Sequence, residues 1–194
     1  EVLFYTDGQT VWDLNGNPMA NGQNIGGDNL SSQSVLAIPL PQEETLFYLF
    51  TTQTSAGGAN QVKFSLVDIK GDNPDGVGNV VSNDNFLFSP STQHSAALGA
   101  GDTTWVAFHE LGNNTFRFYP VTNEGIGQPV FSSVGGNHDF GTGIGSMKFS
   151  PDGTKLAVTI SEGGANRVEI FDFDQETGEM KEYAILDLGN EGDV

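Results

Sequence analysis

The segment Ser55-Ala56-Gly57-Gly58-Ala59-Asn60-Gln61-Val62 returns 106 positions later as Ser161-Glu162-Gly163-Gly164-Ala165-Asn166-Arg167-Val168. Self-similarity of this kind restricts the chain to architectures built by repetition, in which each unit buries its apolar face against a neighbour. Near the middle of the interval, Gly112-Asn113-Asn114-Thr115-Phe116 carries Asn114 and Phe116 where the first copy has Asn60 and Val62, and Gly8-Gln9-Thr10-Val11 supplies one more copy. The residues that open the strand in each copy, Val11, Val62, Phe116 and Val168, are 51, 54 and 52 positions apart. That interval suits one four-stranded propeller blade, somewhat longer than the ~40–45 residues of a WD-type repeat.

Alternation of apolar and polar residues, β-branched and aromatic enrichment, and bounding turn residues place four strands in each full unit. They are expected at 34–40, 45–52, 61–69 and 80–88, then at 94–99, 103–111, 115–122 and 128–134, and finally at 145–150, 155–161, 167–174 and 180–188. The first unit keeps strands at 2–6 and 10–13 with a frayed fourth strand, and its innermost strand is expected upstream. Ser150-Pro151-Asp152-Gly153 marks a hairpin, with Pro supplying a fixed φ and Gly a positive one. Asp174-Gln175-Glu176-Thr177-Gly178 closes a third strand in the same way. The expected fold is all-β: a partial β-propeller of the WD40/YVTN-like type, about three and a half four-stranded antiparallel blades belonging to a larger ring. Its blade portions fall at 1–22, 34–88, 94–134 and 145–188 of a single fragment whose natural termini are both expected to be missing.

Composition narrows the function. The 26 Gly and the many Asn disfavour long helices. Seven basic residues against 25 acidic ones give a net charge of −18, which repels phosphate backbones and anionic membranes; neither nucleic acid nor a bilayer is an expected partner. With no cysteine, disulfides and thiolate metal sites are excluded, and the three histidines, scattered along the sequence, read as no His-rich ligand cluster. The longest apolar runs fall far short of the ~20 residues that span a membrane as a helix.

The run Leu3-Phe4-Tyr5-Thr6-Asp7-Gly8-Gln9-Thr10-Val11-Trp12-Asp13, with Pro18-Met19-Ala20-Asn21-Gly22, Ser31-Ser32-Gln33-Ser34, Trp105-Val106-Ala107-Phe108-His109-Glu110 and Ile144-Gly145-Ser146-Met147-Lys148-Phe149-Ser150-Pro151-Asp152-Gly153, resembles the N-terminal propeller region of large secreted Bacteroidota proteins. Those proteins carry a gliding-motility-associated or type IX secretion sorting domain at their C-terminus. The resemblance implies an extracellular, cell-surface location and transfers no catalytic residue.

Candidate site residues are few. His138 and Asp139 lie in the Gly-rich stretch 135–145, expected to connect one blade to the next near a central channel, and His94 begins an inner strand that would face the same channel; these three are the ligand-binding candidates. His109 alternates with Trp105 and Ala107 and reads as a buried, hydrogen-bonded core residue, with Glu110 on the opposite face. Asp72 and Asp75, in Asp72-Asn73-Pro74-Asp75-Gly76-Val77-Gly78, form a richer oxygen-ligand loop for calcium than Asp174-Gln175-Glu176-Thr177-Gly178, although a plain solvated loop is the favoured reading of both and no other cofactor is expected. Gly145-Ser146-Met147 is no nucleophile elbow, and Gly141-Thr142-Gly143-Ile144-Gly145 lacks the helix and Lys of a phosphate loop. Two functions follow: a non-catalytic binding or adhesion module for a protein, peptide or glycan, with remaining blades of the same chain or another copy completing the ring, or a propeller enzyme such as a lactonase-like hydrolase with residues in other blades.

Overall fold

The computed structural model describes residues 3–53, 60–74, 76–139, 143–162 and 165–190; Asp75, Ser55–Ala59 and Gly163–Gly164 of the sequence motifs lie outside them. The described residues contain strands and turns and no helix. The chain divides into two compact units, Glu1–Pro90 and Ser91–Val194.

In the first unit, β1 (Phe4–Thr6), β2 (Thr10–Asp13) and β3 (Pro18–Gln23) are followed by a four-stranded antiparallel meander, β4 (Val35–Pro39), β5 (Leu46–Thr52), β6 (Val62–Asp68) and β7 (Asn79–Phe88). A parallel bridge, Ala20 to Asn79, joins β3 to β7 and gives a seven-stranded order β1-β2-β3-β7-β6-β5-β4. This sheet curls until it nearly closes: Phe4 meets Phe47 edge-on at 5.4 Å, and Val11, Met19, Ile25, Leu49, Val67 and Val80 form the core between the two layers. The strand expected to be frayed is the six-residue β3. Its turn is fixed by Asp13, whose buried carboxylate accepts the backbone N–H groups of Asn15 and Asn17 at 2.9 Å and of Val77 at 3.2 Å.

The second unit pairs two antiparallel sheets. One runs β8 (Ser91–Ala100), β9 (Thr103–Glu110), β10 (Asn113–Thr122), with the two-residue β11 (Gly125–Ile126) and then β12 (Val130–His138) both beside β10. The other is the meander β13 (Met147–Phe149), β14 (Lys155–Glu162), β15 (Ala165–Phe173), β16 (Met180–Asn190). They meet face to face through Phe116 and Phe171 (centroids 5.2 Å apart) and Phe118 and Phe173 (4.9 Å), with Trp105 donating its indole N–H to the Gln175 carbonyl at 2.8 Å. β12 outruns the strand expected at 128–134. A register shift between Asn113 and Thr115, together with Gly135 at φ +78°, lets pairing resume as Asn113 to His138, so His138 ends a strand and does not sit in a connection.

The repeat is visible in the register. Val11 pairs with Thr6, Val62 with Thr52, Phe116 with His109 and Val168 with Thr159. Four strand-opening residues spaced by 51 to 54 positions thus occupy one geometric position, opposite a threonine in three strand pairs and a histidine in the fourth.

Among the described residues of the second unit Glu169 is the one buried acidic side chain, 1 % exposed. Its carboxylate accepts the Gly136 N–H at 3.1 and 3.2 Å and the Arg167 Nε–H at 3.1 Å, tying β12 to β15 where a side chain at Gly136 would collide with it. Glu169→Ala leaves a guanidinium and a buried amide without their acceptor; urea unfolding followed by Trp105 fluorescence is expected to show a loss of about 3 kcal/mol, and Glu169→Gln a smaller one.

Candidate functional site

The three histidines of the chain, far apart in sequence, converge in the second unit. His94 comes from β8, His109 from β9 and His138 from the end of β12, and each is 0 % exposed. His109 and His138 stack with centroids 3.8 Å apart and planes 16° from parallel, His94 stands edge-on to His138 at 5.2 Å, and Phe116 closes the group edge-on to His109 at 4.3 Å. The sequence reading placed the three apart and anticipated no such meeting in space. Antiparallel pairing brings β8, β9, β10 and β12 side by side, and three residues at one end of those strands share a face although 15 and 29 positions separate them.

Hydrogen bonding assigns the protons. A carbonyl only accepts, so His94 donates Nε2–H to the Thr159 carbonyl at 3.1 Å and presents Nδ1 to the Thr92 hydroxyl at 3.1 Å. His109 donates Nδ1–H to the Glu110 carbonyl at 2.6 Å, which leaves Nε2 as a buried lone pair with no partner. Neither ring nitrogen of His138 has one. Burial lowers the pKa of all three: His94 falls to about 4 against the opposing bond to Thr159, His109 to about 3 with His94 adding to the effect, and His138 to about 2 through burial, then His109, His94 and Arg167. The cluster is neutral at pH 7.

That environment defines its chemistry. Lone pairs lie in the ring planes, so the near-parallel stack of His109 on His138 points theirs side by side and not at a common ion; among the described residues no three His, Asp or Glu side chains form a metal-holding group. The Thr92–His94 contact has the length of a nucleophile–base pair, but the hydroxyl's single proton is shared with the His109 carbonyl, also 3.1 Å away, and both side chains are 0 % exposed. Asp139 follows His138 on the surface and is exposed, and Asp72 is exposed in its turn; Asp75 lies outside the described residues.

Surface concavity lies away from the three histidines, over β14–β16 in the second unit and beside β3 in the first. An open groove of about 570 Å³ is lined by Pro18, Met19, Ala20, Asn21, Gly22, Gln23, Asn73, Pro74 and Asn83. Asn83 donates its amide to the Asn21 carbonyl at 3.0 Å and Asn73 to the Pro18 carbonyl at 3.4 Å, which hold the two walls. Four carboxamides and no ionisable group line it. Sequence reasoning missed the groove because β3 was read as frayed, though the density of Asn and Gln along 15–24 was its available signal. Comparison with protein-family models, with curated proteins and with solved structures gave no match to this chain.

The histidine cluster is expected to make the second unit acid-labile. Each imidazole has an ordinary pKa near 6.5 when unfolded and a lower one when folded, so its contribution is complete above about pH 6.5 and is lost as pH falls from there to the folded values of about 4, 3 and 2. Unfolding then takes up close to three protons, and stability is expected to drop by about 3–4 kcal/mol between pH 6 and pH 5 in urea titrations. His138→Phe sacrifices no hydrogen bond and should reduce the uptake to about two protons, a proton count obtained from the pH dependence of the unfolding constant.

Proposed function

We propose that the chain is part of a β-propeller of the WD40/YVTN-like type acting as a non-catalytic binding or adhesion module of an exported cell-surface protein. The resemblance to secreted Bacteroidota proteins of the gliding-motility and type IX secretion kind supports the location. Consecutive antiparallel meanders with one shared register, Thr6/Val11, Thr52/Val62, His109/Phe116 and Thr159/Val168, support the blades.

The observation that carries the binding function is the amide-lined groove beside β3. Asn21, Gln23, Asn73 and Asn83 offer donors and acceptors in equal measure without a charge, which suits a neutral, hydroxyl-rich or peptide-like ligand: a glycan or an extended peptide backbone. A net charge of −18 further disfavours anionic ligands. Catalysis finds less support, since the titratable groups that do converge, the three histidines, are sealed between sheets.

Arrays of neutral oligosaccharides and of unstructured peptides test the reading. At least one neutral ligand is expected to bind, with Gln23→Ala combined with Asn83→Ala weakening it roughly tenfold or more through the loss of two hydrogen bonds and leaving the thermal midpoint of the second unit in place. Silence on both arrays, or lactone or ester turnover by the purified chain, overturns it.

A further inference from the structure

Left-handed backbone is costly for any residue with a side chain and persists where the surrounding structure imposes it. Among the described residues four non-glycine positions adopt it, and two of them, Asn24 at φ +57° and Asp84 at φ +54°, line one pocket of the first unit. At Asp84 the cause is a bulge. β6 and β7 pair as Phe64 to Asn85 and Leu66 to Ser82, so Asn83 and Asp84 share the place opposite Ser65. The buried Ser65 hydroxyl accepts the Asp84 N–H at 3.3 Å and the Asn85 amide donates to the Phe64 carbonyl at 3.1 Å, which pins the bulge. It re-aims two neighbouring side chains: Asn83 crosses to the Asn21 carbonyl, while Asp84 turns to Lys63, whose Nζ donates to its Oδ1 at 2.6 Å. Gly26, at φ +87°, passes so close to this pair that a Cβ there would collide with the Asp84 carboxylate and the Lys63 stem.

The resulting pocket encloses about 360 Å³, at the small end of the ~300–1,000 Å³ range of ligand sites, and every side chain lining it is polar: Gln9, Asn24, Gln53, Lys63 and Asp84. That lining selects an occupant. A lone carboxylate would draw a cation and a lone ammonium an anion; bonded to each other, they draw neither. Their bond uses one carboxylate oxygen and one ammonium proton, which leaves the acceptor Oδ2 of Asp84 beside the remaining donors of Lys63. The three amides add more groups of both kinds. Hydroxyls, each of them donor and acceptor at once, satisfy such a lining. An extended peptide docks by adding to a straight sheet edge, and the bulge at Asn83 and Asp84 breaks the edge of β7. We propose that this pocket is a sugar-binding site: it takes one unit of a neutral glycan, with one of two vicinal hydroxyls donating to Asp84 Oδ2 and the other accepting from Lys63 Nζ. With no aromatic face in the lining to stack on, a single unit binds in the millimolar range. The site goes beyond the amide-lined groove and stands whether or not that groove is occupied.

Isotope-labelled full chain is titrated with glucose, galactose, mannose and N-acetylglucosamine to about 50 mM and followed by amide NMR. The amides of Asn24, Gly26, Gly27 and Asp84 are expected to shift and saturate with at least one sugar, and to stay in place with tetraethylene glycol, which has no vicinal diol, and with blocked tetraalanine. Lys63→Met, which keeps the stem, and Asp84→Gly, which tolerates the left-handed backbone, should each weaken binding about tenfold. Should Asp84→Gly loosen the bulge, Asp84→Asn replaces it, with a loss of about threefold expected because an acceptor oxygen remains. Shifts in the pocket with none at the groove amides of Ala20, Asn21 and Asn83 uphold the proposal while counting against the groove as a sugar site. Shifts confined to the groove overturn the proposal and leave the groove reading standing. No shift with any sugar overturns it as well, as does saturable binding of tetraalanine at the pocket amides or a Lys63→Met variant that binds sugar as tightly as wild type.

Discussion

Everything in this protein depends on burying flat aromatic faces of β-sheet against one another. Without helices among the described residues, and without disulfides, the chain has little else to offset its conformational entropy. Phe116, Phe118, Phe171 and Phe173 stack across the second unit, each burial contributing about 1.5–3 kcal/mol. The same requirement explains why β9, β10 and β15 carry apolar residues on the faces their sheets present to each other, among them Ala107, Phe116 and Phe171. A small-to-large error anywhere in such a face would propagate, because sheets pack as whole surfaces and not as isolated contacts.

Acidity follows from the turns that this packing demands. Sixteen short strands need many reversals, and aspartates close several of them: Asp7 accepts the N–H groups of Gln9 and Thr10, Asp28 that of Leu30, Asp152 that of Thr154 together with the Ser150 hydroxyl. Asp152 is held at a pKa of about 2 by Ser150 first and then Thr154, and Asp174 at about 2 by Lys181, then by the amides of Glu176 and Thr177. These carboxylates are charged because the backbone stabilises them so. The excess of negative charge is in part a consequence of turn construction, with no anion-repelling function required to account for it.

Strand positions were legible because they rest on local rules. The hairpins at Ser150-Pro151-Asp152-Gly153 and around Gly178 lie where turn chemistry puts them, and the strand expected at 45–52 is Leu46–Thr52. The ends of β12 and β3 were misread for an equally physical reason: Gly135 and the left-handed Asn21 look like strand breakers in a single sequence, yet each is absorbed as an irregularity within a ladder. The histidine cluster was illegible. Its members are brought together by the register of β8, β9, β10 and β12, and register is a property of pairs of strands that no window along one of them contains. His109 alone was read as a core residue, from the alternation of its own strand.

The cluster also shows how a repeat acquires an individual feature. At the position facing the strand-opening residue, Thr52 donates to the Gln33 carbonyl at 2.9 Å and Thr159 accepts the Ser146 N–H at 2.8 Å, so each hydroxyl pins the segment that leads into its sheet's first strand. His109 cannot repeat that contact, since its imidazole is too long for a site that fits a hydroxyl. The bonding is inverted instead: Thr92, at the start of β8, donates to the His109 carbonyl at 3.1 Å, and the His109 ring turns away to stack on His138. The ring that stands in place of a threonine has two others beside it, His138 stacked on it and His94 at the end, donating to the Thr159 carbonyl of the next sheet. The unit's buried unpartnered nitrogens, and the acid sensitivity expected of it, follow from that departure from the repeat.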